Sequence, residues 1–364
     1  MVSMKKLIEL EIDTERVELT ERKTGKKQIF IMRPFRYGDE EGVMNCVRDE
    51  YGDSYFKKFF YDKEKLRAKV ESGGCDIFVA EVEGGIGGIE ILSYSDCGDT
   101  YIEPASQILN HRYRGYGLSK ALVDYTFRII ESMEPTSIFV HAVTFHDMTQ
   151  KTCQKKGMIP VGFRIGSFLA ENMFNSYQKK RCEKYSEGIL IKPVQKKDAG
   201  LVYLPAEIIP FGKKVYDKLG VQYNIASPDV IRSTVEAGEV VSGCKKQGKY
   251  ITYVDEIQLF VRIQVEEDGL DLKDYLESLV DKYKCDGKWS IQVALFTDTP
   301  LIYKQYEELR KLKFFFTGIK PLCSEREQLY MQWVGDWKLY MEDYILTEEF
   351  QVIREDIQSF YERR

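Results

Sequence analysis

The segment His111–Leu122, HRYRGYGLSKAL, decides the interpretation of the chain, because it places arginines and glycines directly before a predicted helix. Arg112, Arg114, Gly115 and Gly117 lie within six residues. Glycines allow backbone N–H groups to point at an anion, and the helix beginning near Gly117 adds its positive dipole end. The spacing suits a pyrophosphate, although a glycine-rich turn with solvated arginines has the same composition. It is neither a Walker loop nor a dinucleotide-binding G-x-G-x-x-G.

Hydrophobic patterns on both sides of this segment predict a mixed α/β fold. A strand begins at Gln28, a helix capped by Asp39 follows, and two β-runs about Gly84 and Gly85 indicate a hairpin. Another strand leads into the loop, and the stretch after it carries a helical apolar stripe. A buried strand, a short helix ended by Gly157 and a last strand complete the unit. The order β-α-α-β-β-β-α-β-α-β predicts a mixed sheet with helices on both faces.

Two blocks in this order carry a resemblance to a known family. Arg112-x-x-Gly115-x-Gly117, between a strand and a long helix, resembles the acetyl-CoA pyrophosphate loop of the GNAT N-acetyltransferase superfamily. The family's next block, N-x-x-A-x-x-x-Y-x-x-x-G-F, aligns without a gap with HDMTQKTCQKKGM from His146. The resemblance covers about residues 28 to 167 and implies the GNAT fold with acetyl-CoA as cofactor. The cofactor contacts that it implies are Leu109, Asn110, Arg112, Tyr113, Arg114, Gly115, Tyr116, Gly117, His146, Gln150 and Lys151.

The second block departs from the family at two positions. Many members use its tyrosine as a general acid toward the CoA thiolate, and here that position is Cys153. A thiol can protonate a thiolate, but a buried packing role suits Cys153 equally. His146 stands at the asparagine position, where it either bonds the pantetheine arm or caps the helix. His111 is expected at the surface and His141 in the core.

An acetyl transfer to an amine needs a base for the amine proton. The resemblance points to a glutamate on the strand before the loop or on its neighbour, which makes Glu103 and Glu90 the candidates, although either is compatible with an exposed edge carboxylate. A backbone N–H near Leu109 or Asn110 would polarise the thioester carbonyl. Aromatic residues follow the first helix, and of these Tyr51 and Tyr55 are the predicted acceptor contacts, with a core role as the alternative.

The second half of the chain partly repeats the first. FVHAVT and IQVALFT are each followed by a helix and a strand, so that Thr144 corresponds to Thr297 and Gly162 to Gly318. Where the first copy has RYRGYGLSKAL, the second has VEEDGLDLKDYL, with acids in place of arginines. We therefore predict a GNAT N-acetyltransferase domain at residues 1–185, with its core at about 28–167. Residues 186–364 are predicted to form a degenerate GNAT-like domain that lacks the pyrophosphate loop.

Composition restricts the class of protein. The 364 residues carry a net charge of −5, which argues against a nucleic-acid binder. The eight cysteines are scattered without a C-x-x-C pair, and there are three histidines, so neither a disulfide framework nor a metal site is expected. No apolar run is long enough to cross a membrane, and the Met1 end lacks a signal-peptide pattern. A cytoplasmic protein, monomer or homodimer, is predicted.

Two functions are compatible with these patterns. The first is an acetyl-CoA-dependent N-acetyltransferase that acts on a primary amine of a small molecule, peptide or protein by direct attack in a ternary complex. The second is a non-catalytic acyl-CoA-binding sensor or scaffold, which the cysteine at position 153 and the lost loop of the second copy favour. The sequence does not identify the acceptor amine or the length of the acyl chain.

Overall fold

A computed structural model describes residues 10–53, 55, 57–94, 101–170, 182–195, 198–226, 245–321 and 326–364. The chain packs as two compact units, unit 1 up to Val140 and unit 2 from His141. This division falls earlier than residue 185, and the two-domain arrangement deduced from the sequence repeat stays a prediction. None of the described helices is long and apolar enough to cross a membrane.

Unit 1 is a mixed sheet in the order β1-β2-β3-β4-β5-β6, with helices on both faces. Neighbouring strands are antiparallel except β5 and β6, which run parallel. Its strands are β1 (Glu15–Thr20), β2 (Lys27–Pro34), β3 (Cys75–Val82), β4 (Gly85–Tyr94), β5 (Tyr101–Leu109) and β6 (Ser137–Val143), the last of which continues into unit 2. Its helices are α1 (Glu40–Tyr51), α2 (Lys63–Glu71) and α3 (Leu118–Ser132).

The predicted fold class and element order are confirmed, with β1 as an added edge strand. Asp39 is the residue before α1, as expected, but its carboxylate does not cap the helix. It binds the Arg33 guanidinium through two hydrogen bonds of 2.7 and 2.9 Å. Asp62 does cap α2, accepting from the N–H groups of Glu64 and Lys65 at 3.0 Å each.

The two faces of the unit 1 sheet have different cores. One face packs on α1 and α2, and the buried side chains there are Val43, Cys46, Val47, Tyr55, Phe60, Leu66, Cys75, Ile77, Val79, Ile89, Ile91 and Ile108. The other face packs on α3, where Phe78 meets Tyr125 edge-on at 5.8 Å. Side chains alternate between the two faces along a strand, so each strand residue contacts either the α1 and α2 core or the α3 core.

The β-strands of unit 2 are hydrogen-bonded in the order β8-β7-β14-β15-β13-β12-β11. Its strands are β7 (Ile159–Leu169), β8 (Lys184–Pro193), β11 (Lys249–Asp255), β12 (Phe260–Glu267), β13 (Ser290–Phe296), β14 (Phe315–Lys320) and β15 (Gln328–Val334). Two short parallel strands, β9 (Gly200–Val202) and β10 (Tyr223–Ile225), form a separate pair. Its helices are α4 (Met148–Lys155), α5 (Ile209–Leu219), α6 (Leu272–Tyr283), α7 (Leu301–Lys311) and α8 (Glu348–Glu362).

Residues 168–187, which the sequence suggests are a connection or an edge strand, end in β8, which pairs antiparallel with β7. Residues 171–181 lie outside the described part of the chain. Cys46, Cys75 and Cys285 are free thiols, while Cys97, Cys244 and Cys323 fall outside the described residues.

The two glycines paired by the sequence repeat meet in the centre of unit 2. Gly162 on β7 lies opposite Gly318 on β14. A Cβ on Gly162 would lie 2.4 Å from the Thr317 carbonyl oxygen and 2.6 Å from the Gly318 Cα. Only glycine at both positions lets the two strands approach this closely.

Candidate active site

The loop Arg112–Gly117 joins β5 to α3 through a short 3-10 turn. The Asn110 side chain starts this turn by accepting a hydrogen bond from the Arg112 N–H at 3.0 Å. Gly115 has φ +88° and Gly117 has φ +82°, both in the left-handed region. Glycine suits these two positions because it adopts the left-handed backbone conformation without steric cost.

The loop presents a row of backbone donors. The first internal hydrogen bond at the start of α3 runs from the Ala121 N–H to the Gly117 carbonyl at 3.2 Å. Among the described residues, no acceptor bonds the N–H groups of Gly115 to Lys120, six in succession. The N–H groups of residues 118–120 belong to the first turn of α3, and those of residues 115–117 belong to the loop. An anion at the start of α3 would therefore interact with both the helix dipole and the loop donors. Such an arrangement fits a diphosphate.

The loop side chains carry less free positive charge than the sequence suggests. Arg114 forms an ion pair with Glu50, and the His111 Nε2 lies 2.8 Å from the same carboxylate. Arg112 is exposed, its guanidinium 5.7 Å from the Tyr113 ring, and no carboxylate of the described chain pairs with it. Arg112 is therefore the cation of this loop that is available to an anion.

The two tyrosines of the loop anchor its backbone. Tyr113 is buried and packs edge-on against Phe30 at 5.5 Å, and Tyr116 contacts the same ring at 5.8 Å. Gly87 on β4 leaves room for Tyr113, because a Cβ there would lie 3.1 Å from that ring. The tyrosine rings thus hold the loop in place. The Tyr113 N–H is bonded to the Asn110 carbonyl at 3.0 Å, whereas the Tyr116 N–H is one of the donors that the loop offers a ligand.

β5 and β6 separate soon after they begin. Their parallel pairing consists of Tyr101 with Ser137 and Ile102 with Ile138, after which β5 continues to Leu109 without a partner on that side within these described strands. On the other side, the Asn110 N–H donates to the Gly87 carbonyl at 3.0 Å. Since N–H groups alternate in direction along an antiparallel strand, the Leu109 N–H points toward the open side. Of the two oxyanion donors predicted, Asn110 is engaged and Leu109 is available.

A β-bulge interrupts β5 just before this point. Ile89 lies opposite Ile108 and Ile91 opposite Ala105, so that Ser106 and Gln107 both face the single residue Glu90. Ser106 has φ +52°, an uncommon conformation for a residue other than glycine. The extra residue shifts the alternation of side chains on β5 and turns Ser106 toward the α1 and α2 face.

Ser106 is the centre of a polar cluster on that face. The Tyr55 hydroxyl and the Lys57 ammonium group each donate to the Ser106 Oγ at 2.7 Å. Tyr51 packs on Tyr55 with ring centroids 4.2 Å apart, and burial raises the pKa of its phenol. The sequence identifies both tyrosines, but Ser106 and Lys57 are missed, because no residue pattern marks the bulge that brings them together.

The two candidate bases lie on different faces of the sheet. Glu90 is buried on the α3 face, where its Oε2 accepts from Gln107 Nε2 and Thr126 Oγ1 at 3.1 Å each. Tyr55 belongs to the opposite core, so the structure does not bring Glu90 to the predicted acceptor contacts. Glu103 is half-buried and, two residues from Ala105, lies on the α1 and α2 face.

The site residues predicted around α4 belong to unit 2. Gln150 is fully buried, and its Nε2 donates to the carbonyls of Val143, His146 and Ile345 at 3.0, 3.2 and 3.0 Å. Its Oε1 accepts from the Thr347 N–H at 3.1 Å. These contacts assign Gln150 to fixing the backbone on both sides of α4, and we do not propose it as a cofactor ligand.

The other α4 residues differ in exposure. Burial lowers the pKa of His146, whose ring stands edge-on to Phe145 at 5.0 Å. Cys153 is buried, which fits the packing alternative. Lys151 is exposed and pairs with Asp147. Contacts of His146 and Lys151 with a cofactor stay predictions.

Solved structures similar to the chain include N-acetyltransferases. The ribosomal-protein-S18-alanine N-acetyltransferase of Escherichia coli is 9% identical, with a TM-score of 0.36 over 46% of this chain and 94% of that one. A GNAT superfamily phosphinothricin acetyltransferase from Sinorhizobium meliloti, in complex with acetyl-CoA, is 16% identical, with a TM-score of 0.37 over 45% and 88%. A putative acetyltransferase from Salmonella typhimurium with acetyl-CoA is 10% identical, with a TM-score of 0.37 over 47% and 96%.

No family model matches the sequence, and no curated protein matches it. At these identities and scores, we derive the function from the geometry of unit 1 alone.

Proposed function

We propose that the chain is an acetyl-CoA-dependent N-acetyltransferase whose unit 1 holds the cofactor pyrophosphate at the loop Arg112–Gly117 and the start of α3. The six N–H groups from Gly115 to Lys120 carry this proposal. If a ligand without acceptors covered these N–H groups, their lost hydrogen bonds to water would cost free energy. A diphosphate, in contrast, accepts hydrogen bonds from several of them at once. Arg112 adds a cation that is not already paired within the described chain.

The residues of β5 supply the remaining requirements of acetyl transfer. Bound acetyl-CoA provides a thioester, whose carbonyl needs a hydrogen-bond donor as negative charge develops. The Leu109 N–H is directed toward the open side of β5 and would serve as that donor. Glu103 lies on the same face as Tyr55 and would accept the amine proton. Tyr51 and Tyr55 would line the acceptor side, and no covalent nucleophile is needed when the two substrates are held together.

The second half of the chain supports one cofactor per chain. The strands that correspond to β5 and β6 are β12 and β13, and they pair at five successive positions, from Phe260–Ser290 to Gln264–Ala294. Just beyond the end of β12, Asp268 forms an ion pair with Arg326, which also pairs with Asp298. These two carboxylates neutralise the charge of Arg326, which is then not available to a phosphate. Over these five positions the parallel pair is closed and leaves no gap for a pantetheine arm.

The acceptor would be a primary amine on a small molecule, a peptide or a protein. The enzyme itself would be a cytoplasmic monomer or homodimer, and acceptors of all three kinds occur in the cytoplasm. The competing function is a non-catalytic acyl-CoA-binding sensor. One observation favours it, since Cys153 is buried where many relatives of this fold place a catalytic tyrosine. Both functions need the loop, so only turnover separates them.

Calorimetry with acetyl-CoA tests the binding site. The wild-type chain should bind one molecule, and Arg112→Glu should abolish binding without lowering the unfolding temperature, because Arg112 is exposed. Lys63→Glu, on the exposed side of α2 and outside the loop, is the matched control for a charge reversal on an exposed residue. Equal affinity of wild type and Arg112→Glu would overturn the assignment.

Release of free CoA thiol tests the transfer itself. Acetyl-CoA is supplied with a panel of amines, amino acids and peptides, and acceptor-dependent thiol release is expected for at least one class. Tight binding with no acceptor-dependent release across the panel would favour the sensor.

A further inference from the structure

The hydroxyl of Ser106 has one remaining hydrogen-bonding capacity. A serine hydroxyl accepts two hydrogen bonds and donates one. The Tyr55 hydroxyl and the Lys57 ammonium occupy both acceptor positions of the Ser106 Oγ, at 2.7 Å each. Within the described chain no acceptor receives the Ser106 proton. The cluster therefore forces Ser106 to act as a donor toward whatever occupies the adjoining space.

That space is beside the strand that carries the predicted oxyanion donor. Ser106 is the inserted residue of the β5 bulge, three residues before Leu109 and beyond the point where β6 departs. It is half-buried, so a ligand can reach it, whereas Tyr55 behind it is only 5% exposed. The positive φ of Ser106 is what turns its side chain toward Tyr55 and Lys57.

We propose that Ser106 is the catalytic proton donor to the leaving CoA thiolate and that Tyr55 resupplies its proton. This inference rests on the proposed acetyl transfer. It assigns to β5 the acid role that the buried Cys153 of α4 is poorly placed to fill. The site on β5 is complete within unit 1.

The proposed step balances in protons and electrons. The amine nitrogen forms its bond to the acetyl carbon and gives a proton to Glu103, while the carbon–sulfur bond breaks with its electron pair on sulfur. Ser106 gives its hydroxyl proton to the sulfur, and Tyr55 passes its phenolic proton to Ser106. Lys57, bound to the same Oγ, stabilises the resulting phenolate by its positive charge. Proton exchange with solvent restores Tyr55 and Glu103.

Ser106→Gly is the informative variant, because glycine removes the hydroxyl and accepts the positive φ without strain. Tyr55→Phe removes the resupplying proton, and Ser132→Ala removes a hydroxyl that bonds only the Ile129 carbonyl at the end of α3. Acetyl-CoA affinity should stay within about twofold of wild type in all three, as measured by calorimetry. Acceptor-dependent thiol release should fall about 100-fold in Ser106→Gly and Tyr55→Phe and stay unchanged in Ser132→Ala.

A binding measurement separates a proton donor from a merely structural serine. The ultraviolet absorbance of bound CoA thiolate is titrated against pH, with desulfo-CoA as the reference. A hydroxyl that donates to the thiolate lowers the thiol pKa. Ser106→Gly should therefore raise the thiol pKa of bound CoA by about one unit, which corresponds to a tenfold weaker binding of the thiolate form. An unchanged pKa in Ser106→Gly overturns the Ser106 assignment.

The same experiments distinguish the two levels of the proposal. If wild type binds CoA and its thiol pKa depends on Ser106 but no amine promotes release, the acetyl transfer fails and the Ser106 contact stands. If release occurs at wild-type rate in Ser106→Gly, the transfer stands and Ser106 is excluded as the acid. If wild type does not bind CoA, both are wrong.

Discussion

Substitution of Gly115 tests the anion-binding loop most directly, because the structure supplies both a conformational and an electrostatic reason for glycine there. Gly115 has φ +88°, and a Cβ on it would lie 2.8 Å from the Glu21 Oε1. That carboxylate has little freedom to move, since Glu21 accepts hydrogen bonds from the Thr24 N–H and Oγ1 at 2.6 Å each. The same hydrogen bonds from Thr24 lower the pKa of Glu21.

The expected magnitudes follow from these two causes. A side chain in the left-handed region costs roughly 1–2 kcal/mol, so Gly115→Ala should lower the free energy of unfolding by about that amount. Gly115→Asp adds a carboxylate roughly 5 Å from a bound phosphate, which costs about 3.3 kcal/mol at an effective dielectric constant near 20. The dissociation constant for acetyl-CoA should therefore rise about 250-fold, and less at high salt.

Gly84 provides the matched control. It lies in the β3–β4 turn of the same unit with φ +89°, and nothing lies within 4 Å of a Cβ placed on it. Gly84→Ala should therefore cost the same conformational strain and leave acetyl-CoA binding unchanged. Denaturant unfolding and calorimetry on the three variants separate the two effects. A Gly115→Asp protein that is folded and binds acetyl-CoA within twofold of wild type would refute the placement of the pyrophosphate.

Glu103→Gln should lower acceptor-dependent thiol release about 100-fold, because it removes the base on the acceptor face, while Glu90→Gln should retain most activity. The opposite ranking in a steady-state assay would identify Glu90 as the base. Gly162→Ala should destabilise the chain by more than about 3 kcal/mol in denaturant unfolding, because its Cβ would lie 2.4 Å from the Thr317 carbonyl oxygen. Gly200→Ala, where φ is +69° and nothing lies within 4 Å of a Cβ, is the control and should cost only the roughly 1–2 kcal/mol of left-handed strain. Equal stabilities of the two variants would contradict the close strand approach.

Those parts of the site that depend on local backbone chemistry could be predicted from the sequence. The two glycines of the loop have the conformations that only glycine adopts freely, and the helix begins directly after Gly117. The element order could be predicted as well, because hydrophobic period distinguishes strands from helices. The charge of the loop could not, since Glu50 lies 64 residues from Arg114 in sequence and neutralises it in the fold.

The bulge explains why the chemistry on β5 and β4 was harder to predict. Alternation of side chains assigns each residue to a face only when no residue is inserted, and Ser106 is an insertion with no composition signal. For the same reason Glu90 and Glu103 were equivalent in the sequence but lie on opposite faces of the sheet. Gln150 was assigned to the cofactor by the family resemblance, and no local pattern indicates its partner Ile345, which lies 195 residues away.

The contacts of Gln150 connect α4 with the segment that follows β15. The Ile345 N–H donates to the Thr144 carbonyl at 2.7 Å, and at the corresponding position of the predicted repeat the Tyr203 N–H donates to the Thr297 carbonyl at 2.7 Å. The segment after each hairpin thus packs on the other half of unit 2, as an exchange between two copies would produce. Gln150 binds the segment that precedes α8, so the end of the chain fixes the start of α4.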